Sequence, residues 1–339
     1  MPLYLGDGSY DTSLALLQTV YGAYVASYAP LNSGVSMTNS PHISVIMPAY
    51  NHERFVGAAV ASVLEQSFDE LELIVINDGS TDSTEEVVKS FSDSRLCYLY
   101  QDNQDAYNTL NRGLQLARGE FIAILNSDDV YTVDRLERLS DAHKQTEAQC
   151  IFSDVTPIDD QGAEIHPNHG WNAWHQSNRN VYFEHHDLYV AFLHGNFMVT
   201  TSNLFITTPA AKRVGEFCSL RYLHDYDYIF RVLLAYPEHT LYLGDERLLY
   251  YRIHGGNTLN QAAIGGREQD KSVIRKYMLA RFPESQRLLI NTGVDRLIAL
   301  EHELANVRKE LQDRDKTTDS TPPETTMMRL LRRVMGPSR

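Results

Sequence analysis

Between Ile43 and Leu125 the apolar positions fall into short blocks set apart by polar ones. Ile43-Ser44-Val45-Ile46-Met47 is a largely β-branched block closed by Pro48 and reads as a strand. Leu71 to Ile76 is nearly continuous in apolar residues, as a strand covered on both faces should be. Leu96 to Tyr100 and Phe121 to Leu125 predict two more strands. Helices are predicted between them over Glu53 to Gln66, with Phe55, Val60, Val63 and Leu64 available for one apolar face, then over Ser83 to Phe91 and Ala106 to Ala117. Repeated β-α-β-α units of this length imply a Rossmann-like α/β fold, a mainly parallel sheet with helices on both faces. Such sheets bind ligands beyond the carboxyl ends of their strands. Three polar clusters, Pro48 to Asn51, Asn77 to Ser80 and Asn126 to Asp129, are therefore expected to converge.

The flanks differ from this core. Leu14, Leu17, Tyr21, Tyr24 and Tyr28 recur at spacings of three and four, which predicts an amphipathic helix. It suits packing on the main domain, contact with a second copy or a membrane surface, the last weakened by the absence of Lys and Arg. Beyond Ser140 the pattern is irregular and rich in His, Trp, Tyr and Asn up to Asn260, and a helix is predicted over Glu268 to Arg281. Leu297, Leu300, Leu304, Val307 and Leu311 then keep a 3-4-3-4 spacing, which fits coiled-coil pairing or packing on the chain's own domain. Asp313 to Thr326, with Pro322-Pro323, reads as a linker before a basic tail. The expected division is 1–41 extension, 42–140 and 141–265 halves of the main domain, 266–312 helices, and 313–339 linker and tail.

Composition narrows the function. Thirty Lys+Arg against forty-four Asp+Glu give a net charge of −14, which disfavours a nucleic-acid partner. The three cysteines, Cys97, Cys150 and Cys218, form no CxxC pair, so a reducing compartment is expected. No run of 18 apolar residues occurs and the first Lys or Arg is Arg54, so a cytoplasmic location without a signal peptide is expected. So acidic a chain binds an anion only with local help. Asn126-Ser127-Asp128-Asp129 ends a strand in adjacent carboxylates, which suit Mg²⁺ or Mn²⁺ bridging to phosphates, or a helix cap.

The motifs taken together carry more. Ser44-Val45-Ile46-Met47-Pro48-Ala49-Tyr50-Asn51, Ile76-Asn77-Asp78-Gly79-Ser80-Thr81-Asp82 and Gly119-Glu120-Phe121-Ile122-Ala123-Ile124-Leu125-Asn126-Ser127-Asp128-Asp129 follow in order. Val214-Gly215-Glu216-Phe217, Leu220 to Asp227 and Tyr251-Arg252-Ile253-His254-Gly255-Gly256-Asn257 come after them. Over about residues 42–260 this resembles a family 2 glycosyltransferase of the GT-A fold, which implies an inverting, nucleotide-sugar-dependent enzyme.

The resemblance also implies roles. Asp78 matches the carboxylate that accepts from the base N3–H, favouring uracil or thymine. Pro48, Ala49, Tyr50 and Glu53 match the nucleoside-lining loop, with Asn111, Asn126 and Ser127 also on the nucleotide side. Asp128 matches the metal-holding position of the DXD motif, whose first position is Asn126 here, and Asp129 is expected to compensate. His254 resembles the residue that reaches back to the metal or diphosphate. Asp225 matches the catalytic base of the family's Glu-Asp pair, with His224 in place of Glu. In the histidine-rich stretch, Trp171 and Trp174 are expected as an acceptor lid or as core, and Thr201, Ser202 and His224 as further acceptor-side contacts. The implied acceptor is a saccharide, free or lipid-linked, or a glycoprotein, in cell-surface polysaccharide synthesis. A homodimer through the terminal helices, and membrane contact by Met327 to Arg339 at the inner face, complete the expected partners. Three rivals are a phosphate receiver, which leaves the Tyr251–His254 segment unexplained, a dinucleotide oxidoreductase, which lacks a G-x-G-x-x-G after the first strand, and a noncatalytic nucleotide-sugar-binding module.

Overall fold

A computed structural model describes residues 40–255 and 265–319. The expected N-terminal helix and basic tail lie outside the described residues. The elements run β1 (Ile43–Ala49), α1 (Val56–Leu64), β2 (Leu71–Asp78), α2 (Thr84–Lys89), β3 (Leu96–Gln101), α3 (Ala106–Leu116), β4 (Phe121–Ile124), β5 (Val130–Tyr131), α4 (Arg135–Thr146) and β6 (Cys150–Ile158). Then come α5 (Gly170–His185), α6 (Leu188–His194), a 3-10 turn (Thr201–Asn203), β7 (Phe205–Thr207), α7 (Thr208–Val214), α8 (His224–Ala235), β8 (Thr240–Arg252), α9 (Gly265–Ala280) and α10 (Glu284–Asp319).

One eight-stranded sheet has the order β3-β2-β1-β4-β7-β6-β8-β5. From β3 to β4 it is parallel, with Ile43 opposite both Leu71 and Phe121. The sheet is mainly parallel as expected, with β6 also parallel to β8; antiparallel pairing enters where β7 meets β4 and β6 and where β5 meets β8. The cause is where β7 begins. The preceding turn packs behind the end of β4, where Ser202 Oγ accepts from the Asn126 N–H at 2.9 Å, so the chain can only run back down the sheet.

Side chains alternate between two cores along each strand. Val45, Met47, Leu73 and Val75 pack with α1 and α4 on one face. Ile46, Ile122 and Ile124 pack with Leu110 and the aromatic residues of α6 and α8 on the other. α9 docks on α8 through Asp227, whose carboxylate accepts from Lys276 Nζ at 2.7 Å, Tyr277 Oη at 2.6 Å and Arg231 Nε at 2.7 Å. Burial pushes Asp227 up, but these donors outweigh it and bring its pKa to about 2.

Where a linker was predicted from Asp313, the described residues are helical. α10 continues to Asp319, because no Gly or Pro interrupts the sequence between Gly293 and Pro322.

Candidate active site

The three polar clusters converge at the carboxyl ends of β1, β2 and β4. Asn51, in the left-handed region at φ 52, turns the chain after β1 toward the loop after β2. Its N–H donates to Ser80 Oγ at 3.0 Å and its Oδ1 accepts from the Thr81 N–H at 2.8 Å. The Glu53 carboxylate accepts from the Ser83 N–H at 2.9 Å, ahead of α2. Pro48 and Ala49 end β1, and Tyr50 beside them stands half exposed. Asp78 is buried at the end of β2, where one carboxylate oxygen accepts from Gln101 Nε2 at 2.6 Å and the Gln104 N–H at 2.9 Å. Its other oxygen has no partner among the described residues.

The loop after β4 meets the end of β8. His254 Nε2 lies 3.0 Å from Asp128 Oδ2, and His52 Nδ1 lies 2.8 Å from Ser127 Oγ. His52, Asp128 and His254 offer three ligand atoms within 4.8 Å of one another. Arg252 fixes this corner: its Nε donates to the Asp128 carbonyl at 2.7 Å and its guanidinium lies over Phe55 at 4.9 Å. The two adjacent carboxylates titrate apart. Burial pushes Asp128 up, but His254 and the field of His52 outweigh it and hold its carboxyl below the usual range. Asp129, buried beside the Asp128 charge, is pushed up to about 8.

A third group faces the same region from α8. Asp225 sits in the first helical turn, 8% exposed, with Oδ1 accepting from the Tyr226 N–H at 2.8 Å and Oδ2 from Asn196 Nδ2 at 3.1 Å. Burial pushes its pKa up by more than the His224 charge and these two donors lower it. A carboxylate so placed takes up a proton more readily than an exposed aspartate does. Asn196 opens a tight segment in which Val199 takes φ 75 and the Thr200 N–H closes on the Met198 carbonyl at 3.0 Å. A β-branched residue in that conformation is strained, and such strain persists only where the surroundings hold it. Here Thr200 Oγ1 accepts from Asn126 Nδ2 at 3.0 Å and donates to Asp129 at 3.2 Å. One strap thus links the Asp225 side to the loop after β4.

A model of glycosyl transferase family 2 matches residues 44–205. An uncharacterized glycosyltransferase of Rickettsia typhi is 30% identical over 240 residues, covering 66% of this chain and 68% of that protein. The chain belongs to glycosyl transferase family 2. A UDP-Glc:alpha-D-GlcNAc-diphosphoundecaprenol beta-1,3-glucosyltransferase of Escherichia coli is 42% identical to this glycosyltransferase over 96 residues, 28% of this chain and 38% of that one. The S. aureus TarS 1–349 structure in complex with UDP-GlcNAc aligns at TM-score 0.57 and 18% identity, over 72% of this chain and 69% of that one. That likeness shows the GT-A fold.

Several residues of the glycosyltransferase stand elsewhere than the motifs implied. Asn111 is buried, with Nδ2 donating to the Phe217 carbonyl at 2.9 Å and Oδ1 accepting from its N–H at 2.7 Å, so its amide clamps α3 to the segment before α8 and is spent. Asp129 turns inward, accepting from the Arg252 N–H at 2.9 Å and Ser202 Oγ at 2.6 Å, and does not join the metal-ligating cluster. Ser202 is fully buried behind it and Thr201 is buried against His224, so neither presents a surface to an acceptor. Trp171 stacks on His175 at 4.9 Å and on Tyr251 at 5.8 Å and lines the cleft between α5, β6 and β8, while Trp174 is 44% exposed. His175 pairs with buried Asp154 at 2.8 Å rather than joining a histidine site. Sequence reasoning missed His52, Asn196 and Arg252. His52 sits inside the loop already singled out after β1, which was the one signal available for it.

Proposed function

We propose that this glycosyltransferase transfers a sugar, with inversion, from a UDP- or dTDP-linked donor to a hydroxyl of a saccharide or lipid-linked saccharide acceptor in cell-surface polysaccharide synthesis. The observation that carries the reading is the meeting of His52, Asp128 and His254 at the strand ends, with Asp78 at the end of β2 keeping one carboxylate oxygen without a partner among the described residues. UDP-GlcNAc in TarS and the UDP-Glc of the E. coli relative support the UDP-linked form of this donor. The diphosphoundecaprenol acceptor of that relative supports a lipid-linked one here.

The second carboxylate oxygen of Asp78 suits the N3–H of the base, and Oδ1 of Asn126, without a partner among the described residues, suits a ribose hydroxyl. Two imidazoles and one carboxylate fit a divalent cation, and nitrogen donors favour Mn²⁺ over Mg²⁺. When bound, that cation offsets charge on the diphosphate of the donor. Asp225 takes the proton of the attacking acceptor hydroxyl, and the Asn196 amide holds its carboxylate in line. Acceptor contacts are assigned to Trp174, His224 and the cleft between α5, β6 and β8, of about 240 Å³ and lined by Glu164, Asn172, Gln176 and Arg247. Nucleoside diphosphate release from a panel of UDP-, dTDP- and GDP-sugars with Mn²⁺ tests the donor assignment. Release from a uracil or thymine donor is expected. Release from GDP-sugars alone contradicts it, and nucleotide binding with no release from any donor favours the noncatalytic reading.

No helix among the described residues is long and apolar enough to cross a membrane. Residues 327–339 carry four Arg and no acid, which suits peripheral contact with anionic lipid at the inner face. Sedimentation with anionic vesicles is expected to depend on this tail, and equal sedimentation of a chain ending at Asp319 contradicts that.

A further inference from the structure

α10 presents an apolar stripe that nothing among the described residues covers. Leu297 is 68% exposed, Leu300 41%, Leu304 50% and Val307 50%. The alternative left open by the sequence, packing on the chain's own domain, is met by different residues. Arg275 of α9 binds Asn291 at 2.5 Å and Asp295 at 2.7 Å, and Lys271 of α9 meets His302 at 3.0 Å. At 100° per residue, the side of α10 carrying Asn291, Asp295 and His302 lies roughly opposite the leucine stripe. The domain therefore holds one side of the helix and leaves the a/d side bare. Singly exposed leucines are ordinary, but a run of four on one stripe of a 36-residue helix is not.

The charges flanking the stripe say what fits it. With Leu297 and Leu304 at a, and Leu300 and Val307 at d, the g positions are Arg296 and Glu303 and the e positions Glu301 and Arg308. In a parallel pair each g residue faces the following e residue of the other helix. Arg296 then meets Glu301 of the partner subunit, and Glu303 meets Arg308 of the partner subunit. Both contacts join opposite charges, and one helix carries both halves of each. A surface complementary to itself is the requirement of a two-fold interface.

We propose that the Leu297–Val307 stripe of α10 is a coiled-coil interface with a second copy of this chain. Burying the stripe removes the apolar exposure, and the flanking charges set the register. The interface lies on α10, apart from the donor site, so the inference stands independently of the proposed reaction.

Analytical ultracentrifugation of the full chain over a dilution series tests it. The wild type is expected to sediment as a reversible dimer, and Leu300→Glu with Leu304→Glu as a monomer with unchanged circular dichroism. Glu301→Arg with Glu303→Arg places like charges at every e and g position and is expected to give a monomer. Adding Arg296→Glu and Arg308→Glu to that variant restores opposite pairs and is expected to restore the dimer. A monomeric wild type would overturn the proposal, because the stripe is then covered by the chain's own residues or left bare. A dimer that survives Leu300→Glu with Leu304→Glu also overturns it, by placing the contact elsewhere.

Discussion

Asp225→Asn is expected to lower transfer by about 10²-fold or more while leaving nucleotide affinity nearly unchanged, since an amide cannot take the acceptor proton. The isosteric side chain keeps the Asn196 contact within reach, so the loss reports on the proton rather than on the fold. The pH dependence adds an independent sign. Asp225 is raised above its ordinary value of 3.8 by burial, so the unprotonated base is lost as pH falls through a pKa higher than that value. The acidic limb of kcat/KM in the wild type should lie on the high side of an exposed aspartate. Asn196→Ala should shift that limb, because it removes a donor that favours the carboxylate. A wild-type rate retained by Asp225→Asn, or a limb at the ordinary aspartate value, places the base elsewhere.

Asp128→Ala should have a comparably large effect. It is the one carboxylate in the cluster with His52 and His254, and Asp129 cannot replace it, since its oxygens already accept from Arg252 and Ser202. A diphosphate would then enter a strongly negative protein with two imidazoles alone for its cation. Nucleotide release from the preferred donor should fall by about 10²-fold or more, given that a positioned cation supplies several kcal/mol of charge stabilisation. Asp129→Asn should cost far less in donor turnover if its role is to brace Ser202 and Arg252. Equal losses from the two substitutions would return Asp129 to the metal site.

The sequence made the βα half readable because strand and helix differ there in period. Ile43–Met47 and Leu71–Ile76 are short, rich in β-branched residues and closed by Pro48 and by Asn77-Asp78-Gly79, which favours strand over helix, and their polar ends mark where a ligand belongs. Motif spacing could not say which way a side chain turns. Asn111 and Asp129 stand where the family pattern puts functional residues, yet each is consumed by backbone and hydroxyl partners brought in from far along the chain. His52 shows the converse: its place in the cluster exists only once the segment after β8 is brought beside the loop after β1 and carries His254 to it. The direction of β7 was not legible, because orientation depends on where a turn packs, and Phe205-Ile206-Thr207 carries no such record. At α10 the Pro322-Pro323 pair drew the boundary too early, although the residues before it are all compatible with helix.

Calorimetry of UDP binding to the wild type, with Mn²⁺ and with a chelator, addresses the shared donor and metal site most directly. Binding that is tight with Mn²⁺ and strongly weakened without it, with the difference abolished in Asp128→Ala, is the predicted result. Equal UDP affinity in the wild type under both conditions would contradict the assignment of His52, Asp128 and His254 as the residues that hold a cation against the diphosphate.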